Sequence, residues 1–206
     1  MKFYNFVHAP NARVVRMFMA ERGIEVPYVE VDLRGGENRR EPYMAKVPTG
    51  TLPALELDDG LVLSEITALC EYLDETTPGL SLVGSNARER AETRMWTRLI
   101  DLNIVEPMTA GFRFAEGLKM FEPRIHCIPQ AATDLKQIAQ EKLAWLDKQM
   151  AGKKWVCGDR FSLADILLFA FLEFGNLDRV NQKYSPELKN IAAWHARVQE
   201  RPSAAA

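Results

Sequence analysis

The amino-acid sequence predicts an α/β domain followed by an all-α domain, and three observations carry that prediction. Up to about residue 77 the hydrophobic pattern switches every few residues between a strand repeat and a helix repeat. The stretch TPGLSLVGSN, running from Thr77 to Asn86, concentrates turn-forming and small polar residues. Beyond it the repeat is helical. The expected division is residues 1–77, a linker over 78–85, and a helical domain over 86–206.

In the first domain KFYNF (2–6) reads as a short strand and NARVVRMFMAERG (11–23) as a helix closed by Gly23. PYVEVDL (27–33) alternates with period two and reads as a second strand. Strand, helix and strand in that order form a crossover unit, so the two strands should be parallel and the connection right-handed. EPYMAK (41–46) is a short helix or turn. LPALELDDGLVL (52–63) places two apolar segments about Asp59-Gly60, a hairpin signal because Gly tolerates positive φ. SEITALCEYLDE (64–75) puts Ile66, Leu69, Cys70 and Leu73 on one helical face. The order is β-α-β-α-β-β-α.

The second domain shows helical stretches over 87–116, 131–150, 162–177 and 186–200. Pro107 should end or bend the first of these, since proline removes a backbone donor and disturbs the preceding turn. In FSLADILLFAFLEFG (161–175) Ser162 and Asp165 have capping-box spacing ahead of a helix apolar on nearly all sides, which belongs in a core. Capping accounts for both polar residues, and Asp165 is read as structural.

With 206 residues, 47% of them hydrophobic, the chain can bury a full core. A formal charge of -2 with scattered cations excludes the basic field that nucleic acid or an anionic membrane surface would need. Neither a signal peptide nor an apolar run of spanning length is seen, so a cytoplasmic location is expected. Cys70, Cys127 and Cys157 are far apart and lack ligand spacing, so neither a disulfide frame nor a metal site is expected.

The segment VPTGTLPALELDDGLVLSEITALCEYL (47–73) combines a proline before a strand, the Asp-Gly hairpin and Glu65 at the start of an apolar helix. With the thioredoxin-like β-α-β-α-β-β-α layout, the helical second part and GDRFSLADI (158–166), it resembles the cytosolic glutathione transferase family over essentially the whole chain. APNARVVR (9–16) is similar to the T-P-N helix start of bacterial Nu-class transferases, with Ala9 at the Thr position. The resemblance implies a glutathione transferase fold and glutathione as co-substrate, with a small hydrophobic electrophile as second substrate. It also implies a detoxification role and a two-fold homodimer.

It further implies site residues. Leu52, ahead of a cis Pro53, would offer its backbone N–H and C=O to the cysteinyl unit of glutathione. Glu65 would meet the γ-glutamyl ammonium, while the helix start and the amide of Ile66 would meet the adjacent carboxylate. Family members usually carry Ser where this chain has Ile66, so one hydrogen bond is lost. The bland alternative is that Glu65 only complements the dipole of its helix. Asn38 and Arg39 fall where the family binds the glycyl carboxylate, with Arg40 and Lys46 as fallbacks, although a solvated charged loop has the same composition. Thr51 is a candidate contact to the γ-glutamyl group.

Thiol activation is the harder assignment. At pH 7 a free thiol with pKa near 8.5 is only about 3% thiolate. The family uses Tyr, Ser or Cys near the end of the first strand. Here Phe6 takes the Cys position and His8 and Ala9 the Ser positions, while Tyr4 is one residue out of register, a slip that points a strand side chain to the other face. Asn11 with the helix-start amides is the preferred candidate, although Asn also suits helix starts for capping alone. Thr109, Phe112, Arg113 and Phe114 are candidates for the electrophile pocket, with Thr109 or Arg113 reaching the sulfur. Apolar residues there suit a core equally well. Met95, Trp96, Leu99 and Leu102 recur at helical spacing, as self-association surface or core.

Three functions follow: conjugation of glutathione to electrophiles, glutathione-dependent disulfide reduction or peroxidase activity, and a non-catalytic interaction module. Without a cysteine at the expected position, the second would draw its thiol from glutathione.

Overall fold

Tyr4 and Phe3 point to opposite faces of one strand, and two apolar layers form around them. The computed structural model describes all 206 residues. β1 (Lys2–Asn5) pairs parallel with β2 (Tyr28–Glu30) and antiparallel with β3 (Ala54–Glu56), which pairs antiparallel with β4 (Val62–Ser64). The sheet order is β2-β1-β3-β4, with the parallel pair where the crossover unit requires it. Phe3 and Leu55 stand opposite each other and are fully buried. α1 (Pro10–Arg22) and α3 (Ile66–Thr76) pack on each other and bury Val14, Phe18, Leu69 and Leu73. Each such side chain contributes about 1.5–3 kcal/mol by leaving water. On the other face Val31, Tyr43, Val47 and Leu52 gather with Tyr4 and Ala54, Tyr43 coming from the single-turn α2 (Tyr43–Lys46).

Local chemistry sets the connections. Gly23 ends α1 at φ +62, as its sequence position suggested. The β3–β4 hairpin turns on Asp59 and Gly60: Gly60 has φ +88, and the Asp59 carboxylate accepts from the Leu61 N–H at 3.0 Å. β2 is shorter than the alternation over 27–33 suggests. The chain curls at once, with the Leu33 N–H donating to Val31 O at 2.8 Å and Asp32 accepting from the Gly35 N–H at 2.8 Å, a side-chain turn that competes with the ladder.

Residues 1–85 form one compact unit together with 202–206, and 86–201 form the other. The stretch 78–85, expected as a linker, is pinned within the first. The Arg22 guanidinium donates to the carbonyls of Thr77 and Leu80 and lies 3.4 Å from the Asp74 carboxylate. That carboxylate accepts in turn from the Ser81 hydroxyl and, at 3.0 Å, from the Leu82 N–H. The tail over 202–206, expected with the helical domain, joins α1 instead: Arg13 donates to Ala204 O at 2.7 Å and the Ser203 hydroxyl donates to Glu21.

In the second unit the helix expected over 87–116 ends earlier and changes pitch. α4 (Ala87–Ile100) passes through a π turn at Asp101–Val105 into α5 (Glu106–Arg113), with the Glu106 N–H reaching Asp101 O, and the backbone stays helical throughout. Pro107 therefore does not stop the helix. Its ring would crowd the carbonyl four residues back, and a widened turn just upstream relieves that contact. α6 (Leu118–Phe121), α7 (Ala132–Gln149), α8 (Leu163–Asn176) and α9 (Lys189–Gln199) follow. α8 is buried almost throughout, as its composition indicated. At its start the Ser162/Asp165 capping box is present. Asp165 also accepts from the Val156 N–H at 2.9 Å and from Trp194 Nε1 at 2.8 Å, tying the turn before α8 to α9. No helix is long and apolar enough to cross a membrane.

Candidate active site

The sheet register gathers the candidates of the first unit at one end. Tyr4 pairs with Ala54, and Ala54 with Ser64. Because β3 runs antiparallel to both neighbours, its start lies at the same end of the sheet as the C-terminal ends of β1 and β4. The β1–α1 loop, the chain before β3 and the start of α3 therefore share one edge. β2 runs parallel to β1, so the segment after it leaves from the same end.

Leu52 lies upstream of β3 and outside its ladders, and its N–H and C=O form no backbone hydrogen bond within the chain. The Leu52-Pro53 bond is cis, as the resemblance implied; Glu41-Pro42 is cis as well. The residue before, Thr51, places its carbonyl against the Tyr43 hydroxyl at 2.6 Å and its own hydroxyl 2.8 Å from that of Thr49. Gly50 has φ +61, and a Cβ there would come within 2.8 Å of Asn38 O. The chain approaches itself too closely for any other residue.

Glu65 caps the start of α3 at φ +71, ψ 119, a conformation that costs a non-glycine residue about 1–3 kcal/mol. Its side chain is exposed, and its carbonyl accepts the first helical bond, from the Leu69 N–H at 3.0 Å. The amides of Ile66, Thr67 and Ala68 come before that bond, and no side chain caps them. They point out of the positive end of the helix.

For the loop over 35–46 the structure separates candidates that composition left equal. Asn38 is 1% exposed and donates to Gly50 O at 2.6 Å, with its Oδ1 buried and unpartnered. Its amide shapes the loop rather than facing a ligand, which corrects its assignment to the glycyl carboxylate. Lys46 is occupied with Tyr4 (2.8 Å) and Glu56 (2.5 Å), and Arg40 with Gly35 O at 3.0 Å. Arg39 is exposed and makes one long bond, to Thr49 O at 3.3 Å, so it is the cation that can turn to an anion.

Tyr4 is corrected too. Its hydroxyl donates to Glu56 and accepts from Lys46 at 2.8 Å, on the buried face that the one-residue slip implies. Burial and then the Glu56 contact raise its pKa, while the hydrogen bonds from Lys46 and then Tyr4 hold the Glu56 carboxyl at about 2. A phenol raised in this way and already bonded is poorly placed to activate a thiol. Asn11 is the second residue of α1, after Pro10, is exposed and does not cap the helix; Ala9 holds that position. The loop before it is fixed from below by Arg16, which donates to Asn5 Oδ1 at 2.8 Å and to Val7 O at 3.0 Å. His8 is exposed, with its ring 5.5 Å from that of Phe6.

In the second unit Phe112 lies in an aromatic cluster, edge-on to Phe174 at 5.2 Å and Phe121 at 6.2 Å, and backs onto Gly117. Phe112 is half-buried in this cluster. Arg113 donates to the Thr109 hydroxyl at 2.7 Å and to both Glu106 oxygens at 3.1 and 3.2 Å, so Thr109 and Arg113 form one polar group with Glu106 on α5. Phe114, just past the end of α5, is half-buried. Met95 and Leu102 are half-exposed, whereas Trp96 is buried.

Residues 8–76 match the family described as Glutathione S-transferase, N-terminal domain, and residues 125–202 the corresponding C-terminal domain. Glutathione S-transferase 2 of Saccharomyces cerevisiae is 31% identical over 208 residues, covering 98% of this chain and 87% of that protein. The chain belongs to the glutathione S-transferase family. A crystal structure of a glutathione S-transferase domain-containing protein from Marinobacter aquaeolei superposes on this transferase with TM-score 0.90 and 34% identity, covering 98% and 99% of the two chains. A more distant relative, the disulfide-bond oxidoreductase YfcG of Escherichia coli, is 27% identical over 208 residues, covering 96% and 90%.

Two features of the transferase escaped sequence reasoning. Thr67 carries a hydroxyl one residue beyond Ile66, in the first turn of α3, and only the helix boundary reveals its place. The Lys46–Tyr4–Glu56 group joins residues from α2, β1 and β3, and it is the antiparallel pairing of β1 with β3, strands remote in sequence, that brings Tyr4 and Glu56 together. Cys70 of the transferase is fully buried, with a thiol raised well above its ordinary pKa by burial and then by Asp74 and Glu71.

Proposed function

We propose that this transferase conjugates glutathione thiolate to small hydrophobic electrophiles, holding the tripeptide at the sheet end described above. The observation that carries the reading is the start of α3: three uncapped amides beside an exposed carboxylate held at positive φ. Glutathione offers the complement, with a carboxylate and an ammonium on one α-carbon. The carboxylate suits the amides of Ile66, Thr67 and Ala68 and the helix dipole, and the ammonium suits Glu65. Thr67 can supply a hydroxyl contact that Ile66 cannot. The free N–H and C=O of Leu52 suit the cysteinyl unit, strand-fashion, and Arg39 suits the glycyl carboxylate.

That placement sets the cysteinyl sulfur toward the β1–α1 loop, where the Asn11 amide and the first amides of α1 can donate to it. Donors favour the anion over the thiol, and each unit of depression corresponds to about 1.36 kcal/mol. The thiolate attacks an electrophilic carbon, the new S–C bond forms, and the leaving group departs with the electron pair of the broken bond. Thr109 and Arg113 are the polar candidates to meet the electrophile, and Phe114 is an apolar one. We assign the active form as a homodimer, with Met95, Leu99 and Leu102 as candidate contacts.

A second reading, glutathione-dependent disulfide reduction, is favoured by the name of the Escherichia coli relative; with Phe6 at the family's Cys position, glutathione would supply the thiol. An assay with a mixed disulfide beside an aryl halide separates the two. The decisive test of the site is calorimetric binding of glutathione together with a pH titration of its thiolate absorbance, for wild type and Asn11→Ala. Binding with a thiol pKa lowered by about one unit or more is expected, and the depression should shrink in the variant. A wild-type protein that does not bind glutathione would overturn the proposal.

A further inference from the structure

We propose that Tyr43 is a positioning residue for glutathione, acting through the peptide group that joins Thr51 to Leu52. The inference rests on the reading of Leu52 as the residue whose main chain binds the cysteinyl unit. A peptide group is planar, so the Thr51 carbonyl and the Leu52 N–H are opposite ends of one rigid unit. The Tyr43 hydroxyl donates to Thr51 O at 2.6 Å. Fixing the oxygen fixes the direction of the N–H.

The neighbouring groups show how complete this control is. One peptide earlier, Gly50 O takes the Asn38 amide at 2.6 Å. Two successive carbonyls are thus held by buried side chains, whereas the Leu52 N–H and C=O that follow have no backbone partner. Tyr43 is itself immobilised: it is 5% exposed, its ring meets that of Tyr4 edge-on at 5.7 Å, and Val31, Val47 and Leu52 surround it. Burial, and then the proximity of Tyr4, raises its pKa, so the hydroxyl keeps its proton and remains a donor through the neutral and alkaline range. A hydrogen bond at the carbonyl also polarises the amide and makes its N–H a better donor to the next acceptor. Phenylalanine would fill the same volume and leave the Thr51 oxygen without its donor.

The test compares wild type, Tyr43→Phe and Val31→Ala, the last softening the same apolar cluster without touching Thr51. Glutathione affinity by calorimetry, KM and kcat at saturating electrophile, and the ¹⁵N shift of the Leu52 amide in the unliganded protein are measured. Tyr43→Phe is expected to weaken glutathione binding and raise KM about three- to tenfold, with kcat at saturating glutathione within about twofold of wild type. The Leu52 ¹⁵N resonance is expected to move as its peptide loses the hydrogen bond. Should Tyr43→Phe fail to fold, 3-fluorotyrosine at position 43 keeps the packing and strengthens the donor; it is expected to hold or improve affinity and to shift the Leu52 resonance in the direction of a stronger bond. Unchanged affinity in Tyr43→Phe, or an equal loss in Val31→Ala at matched melting temperature, overturns the proposal. If the wild type binds no glutathione, the reading of the site itself falls, a result distinct from wild-type binding that Tyr43→Phe leaves intact.

Discussion

Glu65 occupies a backbone region that glycine enters freely and other residues enter at a cost, and it does so with its carboxylate in solvent. A site that needs the charge would retain the strain. Glu65→Gly is therefore expected to raise stability by about 0.5–2 kcal/mol in chemical denaturation while abolishing measurable glutathione binding. Glu65→Gln keeps the backbone cost and removes only the charge, so affinity should fall about tenfold with stability within about 0.5 kcal/mol of wild type. Asp165 illustrates a different residue-scale balance. Burial raises its pKa to about 6 against the opposing hydrogen bonds from Val156, Trp194 and Ser162. The folded state then holds this proton more tightly than the unfolded chain. Its contribution to stability is present below the ordinary carboxyl range near 4 and is lost as pH rises through about 6. Relative to Asp165→Asn, wild type should lose about 1–3 kcal/mol between pH 4 and pH 7 in denaturant titrations. A difference that does not vary with pH would show that the hydrogen bonds cancel the cost of burial.

The elements were legible where a repeat or a special residue marks them. Gly23 at the end of α1, Asp59-Gly60 in the hairpin and Ser162 ahead of α8 each act within a few residues, so composition alone located them. β2 and the α4–α5 helix were misjudged at their ends because the competing interactions are specific: the side-chain turn at Asp32 cuts the strand, and a π turn accommodates Pro107. α4 carries a prediction of its own. Met95 is 50% and Leu102 49% exposed, whereas Trp96 between them is 9% exposed, so the stripe that the sequence offered as core or contact divides into a buried residue and an exposed edge. Met95→Glu is expected to shift the protein toward monomer in light scattering at micromolar concentration, with its helical circular dichroism retained. A dimer that survives the charge would place the contact elsewhere.

At the scale of the whole molecule, the amino-acid sequence determined the order of strands and helices, the change from α/β to helical grammar, and the positions of Leu52, Pro53 and Glu65. These depend on period, turn chemistry and local motif, which operate within one element. Tertiary structure decided which polar groups are available. Asn38 and Lys46 look as suited to an anion as Arg39 does, yet each is occupied by a group that lies remote in sequence or across an element boundary, Gly50 for one and Tyr4 and Glu56 for the other. It decided that 78–85 is held by Arg22 and Asp74, and that the last five residues belong with α1. It also placed Tyr43 against Thr51, a contact between α2 and the chain ahead of β3. The physical reason is the same in each case. A periodic pattern states which way a side chain points, but a buried donor must find an acceptor, and its partner is fixed only when the chain has closed around both.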